Sequence, residues 1–575
     1  MYFFKCLLAV ALWAGFSSSL STSTFNPPDA EPTVTVRNGT IEGTYSEAYH
    51  QDFFLGIPYA LPPTGDRRFR RAAPLTRKWD GIRATQDYGP FCKGYSVGLP
   101  AYDQPNITYP MDEDCLTINV VRPAGTGPND SLPVLVWIYG GGFSEGGSGD
   151  QRYNMSFLVN TSVEKNTPIL MVSFNYRVSG FGFLAGHAIE AEGNENLGLH
   201  DQRMVLAWIQ ENIHAFGGDP ARVTISGESA GAASVGFHLL AYEGRNDSLF
   251  SAAISESGGP LFYKAFPSLE IREQQYGATL NATGCAGTNN TLACLRAAPA
   301  DSFDSVFKQY LWSPMVDGGL IPDFTSKLLH QGKFVKAPLL IGANTNEGTI
   351  MVPLFSTIGV NSTAEFHQVI EGINDGRPLP GDTLRRFDEL YQEVVSHPKE
   401  NLGTVSPEPG PPYGSLYGQT SLMIGDVMLA AGRRLAARTW ADAGLPAYSY
   451  HFDTVPAGIN PITLGAAHFQ EVAFVFRNTR GTGYESDPFA VQDPELRQKF
   501  DGLAELMSSM WVSFVDSHSP NNHNVASFGE HWPTYSTHEP VNLVFRADPG
   551  SYLEPDTFRS EAFDFINRTA LEFSR

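Results

Sequence analysis

The chain is poor in basic residues and has no long apolar run. Lysine and arginine number 39 against 61 aspartates and glutamates, which gives a net charge of −22. Nucleic acids and anionic membranes bind basic surfaces, so this balance argues against both as partners. The N-terminal apolar stretch, Cys6–Phe16, is shorter than the roughly 20 residues of a transmembrane helix. No apolar run of spanning length follows it, so we expect no transmembrane anchor.

The same stretch predicts a secretory signal peptide over residues 1–20. Lys5 supplies a positive charge before the apolar region, and Ser17, Ser18 and Ser19 are small residues suited to cleavage. We therefore expect a mature chain that begins near Ser19–Thr22 and enters the secretory pathway or the extracellular space.

Cysteine is scarce, with five residues of which Cys6 lies in the predicted signal. The other four allow three pairings, and the simplest joins Cys92 to Cys115 and Cys285 to Cys294. Disulfides are the default in an oxidising compartment. Asn-x-Ser/Thr sequons support the same compartment and predict a glycoprotein. They begin at Asn38, Asn106, Asn129, Asn154, Asn160, Asn246, Asn281, Asn289, Asn361 and Asn567.

Short apolar runs of strand length recur along the chain and alternate with helical patterns. Residues His200–Phe216 have apolar side chains at helical spacing. Strands that alternate with helices predict an α/β fold with a mostly parallel sheet. The predicted strands are Leu132–Tyr139, Ile169–Phe174, Val223–Ile225, Leu339–Ile341 and Ala447–Phe452, and Val34–Tyr45 predicts a hairpin that turns at Asn38-Gly39.

The segment after Val223–Ile225 predicts an exposed serine. It contains Gly227, Ser229 and Gly231 in a Gly-x-Ser-x-Gly pattern, followed by small residues. A strand, a sharp turn and a helix with this pattern place a serine hydroxyl at the tip of the turn. The pattern also occurs in ordinary glycine-rich turns, but the flanking strand and helix favour a nucleophile.

A serine nucleophile needs a histidine base and a carboxylate that orients it. Glu347 lies in a turn just after the apolar run Leu339–Ile341, and His468 lies among small residues before an aromatic segment. From the residues alone each is one of several candidates, because most carboxylates and histidines are structural or solvated. The glycines after Tyr139 can offer unobstructed N–H groups to an oxyanion. A phosphate loop is excluded there because no Gly-Lys-Ser/Thr follows.

Together these motifs resemble the type-B carboxylesterase/lipase family of α/β-hydrolases, which includes carboxylesterases, cholinesterases and large fungal lipases. The resemblance is dense from about residue 34 to residue 545. The matching motifs are Glu113-Asp114-Cys115-Leu116 with Asn119, Gly140–Phe143, Asn175-Tyr176-Arg177, Gly198–Arg203, Phe216–Pro220, Gly227–Gly231, Asp317-Gly318, Asn346-Glu347-Gly348 and His468 with Glu471.

The resemblance implies a single domain over residues 21–575, with helices on both faces of a large sheet and long cap or loop insertions. It implies a serine esterase that acts on small-molecule esters without a metal or a cofactor. The implied triad is Ser229, Glu347 and His468. The implied oxyanion donors are Gly141, Gly142 and Ala230, and the implied supporting cluster is Glu228, Ser257 and Glu471.

The segment Lys93–Asp114 bears on the substrate. It has tyrosines but no tryptophan, whereas cholinesterases carry a tryptophan there. Pro100, Pro105 and Pro110 would break the apolar helical lid of the family's lipases. We therefore expect hydrolysis of small to medium esters. Candidate pocket walls, which could equally be core residues, are Phe143, Trp312, Met315, Phe469 and Phe474.

Other functions remain open on the sequence alone. A non-catalytic adhesion protein would be expected to lack part of the triad, and here every member is present. An enzyme with the same triad could instead transfer the acyl group, act on lactones or tailor a biosynthetic intermediate, because pocket shape decides the acceptor. An interfacial lipase is the remaining alternative.

Overall fold

The computed structural model describes residues 31–575, so the predicted signal peptide over residues 1–20 lies outside it. Its main feature is an eleven-stranded mixed sheet. The strands of the described chain are β1 Thr33–Val36, β2 Gly39–Glu42, β3 Thr44–Ser46, β4 Gln51–Pro58, β5 Ile82–Ala84, β6 Phe91–Cys92, β7 Met111–Asp112, β8 Thr117–Pro123, β9 Leu132–Ile138, β10 Leu170–Phe174, β11 Gly218–Glu228, β12 Ala252–Glu256, β13 Leu339–Asn344, β14 Ala447–Phe452, β15 Val541–Phe545 and β16 Tyr552–Pro555.

Helices connect and cover these strands. The α-helices of the described chain are α1 Met155–Glu164, α2 Ser179–Phe183, α3 His187–Glu190, α4 Leu197–Asn212, α5 Ala230–Gly244, α6 Leu269–Ala282, α7 Thr291–Ala297, α8 Asp304–Phe307, α9 Thr325–His330, α10 Val352–Phe355, α11 Thr363–Ile373, α12 Gly381–Val395, α13 Pro398–Asn401, α14 Tyr417–Gly425, α15 Ala431–Asp442, α16 Val472–Val475, α17 Pro494–Ser517 and α18 Ser560–Arg568. Short 3₁₀ turns include Gln151–Tyr153, Ile213–Phe216 and Glu347–Ile350, and Asp426–Ala430 is a π-helical turn between α14 and α15.

The main sheet follows the order β3-β4-β8-β10-β9-β11-β12-β13-β14-β15-β16. Neighbouring strands from β10 to β15 run parallel, and the pairs outside them are antiparallel. From β9 the chain passes to β10 on one side and later to β11 on the other. The carboxyl ends of β9 and β11 therefore border a topological switch point, where α/β folds place their ligand sites.

The predicted α/β class is confirmed, and the apolar runs explain why. Strands β10, β12 and β13 are buried along their whole length because helices cover both faces of the sheet. The predicted strand Ala447–Phe452 is β14, and the predicted helix His200–Phe216 is α4 followed by a 3₁₀ turn. Among residues 31–575, no helix is long and apolar enough to span a membrane.

Two disulfides close local loops, as in the simplest pairing. Cys92 is bonded to Cys115 and Cys285 to Cys294. The first bond encloses the segment between β6 and β7, which pair in parallel at its base. A disulfide that closes a loop of such a size contributes about 2–4 kcal/mol to the free energy of unfolding.

The predicted glycosylation sites differ in their surroundings. Asn38 is a poor acceptor because it is buried and its amide nitrogen donates to the carbonyl oxygens of Leu75 and Arg77. Its side chain is thus occupied in the folded protein. The sequon asparagines with exposed side chains are Asn106, Asn129, Asn281, Asn289 and Asn361.

Candidate active site

Ser229 occupies the tight turn between β11 and α5. Its φ of 57° and ψ of −121° are strained for a residue with a side chain. A Cβ on Gly227 would lie 2.6 Å from the carbonyl oxygen of Ile138, and one on Gly231 would lie 2.0 Å from it. Only glycine on both sides allows β9, β11 and α5 to approach this closely. The turn therefore holds the serine at the carboxyl edge of the sheet, where it is half-buried.

The structure brings Ser229, His468 and Glu347 into one hydrogen-bonded row. The distance from Ser229 Oγ to His468 Nε2 is 2.8 Å, and that from His468 Nδ1 to Glu347 Oε2 is 2.7 Å. His468 and Glu347 are buried. A neutral imidazole with its proton on Nδ1 can accept the serine proton at Nε2. His468 adopts this tautomer because the Glu347 carboxylate can only accept a hydrogen bond, so Nδ1 must carry the ring proton.

Backbone contacts between two loops align the histidine with its carboxylate. Asn346 and Ala467 form an isolated parallel bridge, and each immediately precedes a triad residue. The backbone N–H of Asn344 donates to Glu347 Oε1 at 2.6 Å. Glu347 is thus held on one oxygen by the backbone and offers the other to His468.

The glycine loop after β9 presents free donors beside the serine. Gly141 and Gly142 have φ values of 89° and 60°, which favour glycine. A Cβ on Gly141 would lie 2.6 Å from the carbonyl oxygen of Glu145. Within the described chain, the N–H groups of Gly141 and Gly142 donate no hydrogen bond. Ala230 begins α5, so its N–H is one of the helix's unpaired donors.

The predicted supporting cluster is only partly connected. Ser257 Oγ donates to Glu471 Oε1 at 3.0 Å, and Asn344 Nδ2 donates to Glu471 Oε2 at 2.5 Å. Glu228 instead lies beside the histidine, with Oε1 3.2 Å from His468 Nε2. In the part of the chain that the structure describes, neither carboxyl oxygen of Glu228 has a hydrogen-bond partner.

Burial and neighbouring charges shift the pKa values of His468 and Glu228. Burial alone would lower the pKa of His468, but the carboxylates of Glu228 and Glu347 outweigh burial and raise it. Burial also raises the pKa of Glu228 well above its usual range. When Glu228 is protonated it carries no charge, and Glu347 is then the carboxylate that keeps the pKa of His468 raised.

Comparisons with known proteins show the family to which the chain belongs. The sequence profile of the carboxylesterase family matches residues 30–557. The chain belongs to this family. Lipase 1 from Geotrichum candidum is 41% identical over 374 residues, which cover 58% of this chain and 64% of that protein, less than two thirds of its length. Lipase 2 from Diutina rugosa is 38% identical over a 584-residue alignment that covers 93% of this chain and 96% of that protein.

A solved structure extends the likeness to the fold. The crystal structure of Aspergillus niger EstA matches with a TM-score of 0.80 and 26% sequence identity, covering 95% of this chain and 99% of that one. Because nearly all of both chains superpose, this carboxylesterase-family chain has the α/β-hydrolase fold. Within the described residues, no group of histidine, cysteine and acidic side chains could hold a metal ion.

Two of the candidate pocket walls are core residues in this chain. Phe143 is fully buried and packs edge-on against Phe183. Phe474 is fully buried and packs on Phe452 and Phe489. Trp312 and Met315 are also buried. The core interpretation therefore holds for Phe143 and Phe474, because aromatic neighbours enclose their rings.

The segment Lys93–Asp114 contains no α-helix and is fixed at several points. The backbone N–H of Val97 donates to Glu145 Oε1 at 2.8 Å, next to the glycine loop. Tyr95 Oη donates to Asp304 Oδ1 at 2.6 Å. These bonds join the start of the segment to two other parts of the molecule, so this part of the segment is held in place.

Several site residues were missed in the sequence. Asn344 contacts both Glu347 and Glu471, and its place at the end of β13 was the available signal. Arg152 packs against Phe469, the residue after His468. No sequence signal joins these two, because they are distant in the chain and meet only after folding.

Proposed function

We propose that this protein is a serine carboxylic ester hydrolase with Ser229 as nucleophile, His468 as base and Glu347 as the orienting carboxylate. The observation that carries the proposal is the row of two short hydrogen bonds from Ser229 through His468 to Glu347. A structural histidine can also bond a serine and a glutamate. The strained turn at Ser229 and the free N–H groups beside it favour catalysis over that alternative.

Acylation begins when Ser229 Oγ attacks the ester carbonyl carbon and His468 Nε2 takes the hydroxyl proton. The carbonyl oxygen becomes an oxyanion, for which Gly141, Gly142 and Ala230 supply N–H donors. Each donor is worth about 3 kcal/mol in the transition state. The carbon–oxygen bond to the alcohol then breaks, and His468 gives its proton to the departing alkoxide.

Deacylation repeats these steps with water. His468 takes a proton from the water as it attacks the acyl carbon, and the second oxyanion meets the same donors. The bond to Ser229 Oγ breaks, the serine regains its proton from His468, and the carboxylic acid leaves. The half-buried position of Ser229 supports entry of both ester and water.

We propose that the substrates are small to medium esters in solution. The loop enclosed by Cys92 and Cys115 has no helix whose apolar face an oil surface could uncover. Its bonds to Glu145 and Asp304 oppose a lid movement. Interfacial lipolysis is the second candidate, because the two named relatives are lipases.

Hydrolysis of tributyrin separates these two candidates. We expect the rate to rise hyperbolically with concentration and to pass the solubility limit without a jump, because no lid needs to open. Short acyl chains should be preferred in a series of p-nitrophenyl esters. The measurement is a pH-stat titration below and above the solubility limit.

Two outcomes of these assays would contradict hydrolysis of esters in solution. A sharp rise in rate when the emulsion forms, with good activity on long-chain triglycerides, would identify an interfacial lipase. Product analysis with a competing alcohol is the control for acyl transfer. An ester of that alcohol as the main product would replace hydrolysis by transacylation.

The pH dependence of kcat/KM reports the charge state of His468, which must be neutral to accept a proton. Since its carboxylate partner raises the pKa, we expect an acidic limb with an apparent pKa between the ordinary 6.5 and about 9. Below that pKa, kcat/KM should fall about tenfold per pH unit. The measurement is initial rates on a p-nitrophenyl ester. A rate that stays constant down to about pH 5 would contradict a histidine base.

We also propose that the protein is secreted and glycosylated. The two local disulfides support an oxidising compartment. The sequon asparagines with exposed side chains support glycan attachment, whereas the buried Asn38 does not. The apolar stretch Cys6–Phe16 supports secretion from the sequence alone.

A further inference from the structure

Phe469, the residue directly after His468, has an unfavourable backbone conformation. Its φ is 75°, in the left-handed region that glycine tolerates and bulky side chains avoid. Its ring is nonetheless buried, with 3% of the side chain exposed. Such conformations persist only where surrounding contacts enforce them, and they cluster at functional sites.

The enforcing contacts form a triangular cluster of two aromatic rings and one guanidinium group. The guanidinium carbon of Arg152 lies 4.7 Å from the ring centre of Phe469 and 4.8 Å from that of Tyr102. The two rings also meet edge to face, with centres 4.9 Å apart and planes at 87°. A cation this close to two ring centres is attracted to both rings, and burial strengthens that attraction.

Arg152 is itself firmly held. Its guanidinium is paired with the Asp150 carboxylate at 2.7 Å, and Nη1 donates to the backbone oxygen of Tyr102 at 2.6 Å. Asn478 Nδ2 donates to the backbone oxygen of Arg152 at 3.3 Å. Arg152 therefore has little freedom, and Phe469 rests on a rigid partner.

This cluster of Phe469, Tyr102 and Arg152 joins three segments near the candidate active site. Tyr102 belongs to the loop closed by Cys92 and Cys115, Arg152 follows the glycine loop, and Phe469 adjoins His468. Because the peptide unit between His468 and Phe469 is planar, the position of the Phe469 ring constrains the backbone of the histidine. The contact of Phe469 with Arg152 is thus a mechanical link from the disulfide-closed loop to the base.

We propose that Phe469 is a positioning residue, which the Arg152–Tyr102 pair holds so that His468 Nε2 stays within hydrogen-bond distance of Ser229 Oγ. The proposal rests on the esterase function proposed above. Phe469 acts through His468 and is too buried to be a substrate contact. Small displacements of a catalytic group can cost up to about 100-fold in rate.

Substitutions of Phe469 test this role. Phe469→Gly fits the left-handed φ and removes the ring, so the fold is retained while the link is lost. We expect kcat on p-nitrophenyl butyrate to fall about 10- to 100-fold with KM changed less than about twofold. Phe469→Leu, which keeps apolar volume without a π face, should also lose kcat. Phe469→Tyr, which keeps the ring, should retain it.

A double-mutant cycle tests the link itself. Tyr102→Leu removes the second ring but leaves the Arg152–Asp150 pair. If Phe469 couples the disulfide-closed loop to His468, Tyr102→Leu lowers kcat in the wild-type background. In the Phe469→Gly background, the same substitution lowers kcat by less than about a further twofold. Phe474→Leu is the matched control, a buried aromatic in the same segment with no contact to Arg152, and it should lower Tm without changing kcat.

The outcomes separate this proposal from the esterase assignment. If Phe469→Gly folds, as judged by Tm, and keeps wild-type kcat, the positioning role is wrong. It is also wrong if the effects of Tyr102→Leu and Phe469→Gly simply multiply. If Ser229→Ala retains ester turnover, the proposed function fails, whatever Phe469 does.

Discussion

Replacing Ser229 by alanine is expected to lower kcat for p-nitrophenyl esters by about 10⁴-fold or more. The substitution removes only the hydroxyl group, and the hydrogen bond of that group to His468 is lost with it. Substrate binding uses other groups, so KM should change little. The measurement is steady-state kinetics on purified protein, with Tm as the check on folding. An organophosphonate should label the wild-type protein once, at Ser229, and should not label the variant.

Ser226→Ala is a matched control for that experiment. Ser226 lies in β11 three residues before Ser229, and its Oγ donates to the backbone oxygen of Val136 at 2.9 Å. Losing this buried bond should cost about 1 kcal/mol of stability and leave kcat unchanged. Substantial turnover by Ser229→Ala, or a second labelled serine, would place the nucleophile elsewhere.

The sheet could be predicted from the sequence because local patterns determine its strands. β14 occupies the predicted range Ala447–Phe452, in which aromatic residues that favour strands recur at every second position from Tyr448. β11 was predicted only at Val223–Ile225, because its polar N-terminal residues carry no strand signal. Tertiary pairing with β9 extends it to Gly218.

The candidate triad was predictable in different degrees. Ser229 stands within its own local signature, so the sequence alone favoured it. Glu347 and His468 remained among several candidates until the family resemblance was used. Their proximity depends on the bridge between Asn346 and Ala467, which are remote in sequence. No local pattern encodes such a contact.

The environment of Glu228 could not be predicted from the sequence, because it also depends on contacts between segments that are remote in the chain. The residue adjoins Ser229, and the family resemblance placed it in a cluster with Ser257 and Glu471. The structure places it beside His468, without a hydrogen-bond partner among the described residues. Burial raises the pKa of its carboxyl group, and burial is a property of the folded interior.

Glu347→Gln should lower kcat at neutral pH by about 10⁴-fold, because the amide reverses the tautomer of His468. Glu347 Oε1 accepts from the fixed N–H of Asn344, so glutamine must keep its oxygen there and turn its NH₂ group toward His468. Nδ1 then accepts, the ring proton moves to Nε2, and Nε2 can no longer take the proton of Ser229. Steady-state kinetics across pH measures the loss. The acidic limb should also move to lower pH, because the carboxylate that raises the pKa of His468 is gone.

Glu228→Gln is the matched control for this variant, with the same chemical change beside the same imidazole. Burial raises the pKa of Glu228 and so favours its neutral form, and glutamine reproduces the charge and nearly the shape of that form. We expect less than about a tenfold loss of kcat and an unmoved acidic limb. If Glu228→Gln shifts the limb downward and Glu347→Gln does not, then Glu228 is the charged partner of His468. The roles assigned to the two carboxyl groups would then be exchanged, since only an anion can hold the pKa of the histidine up.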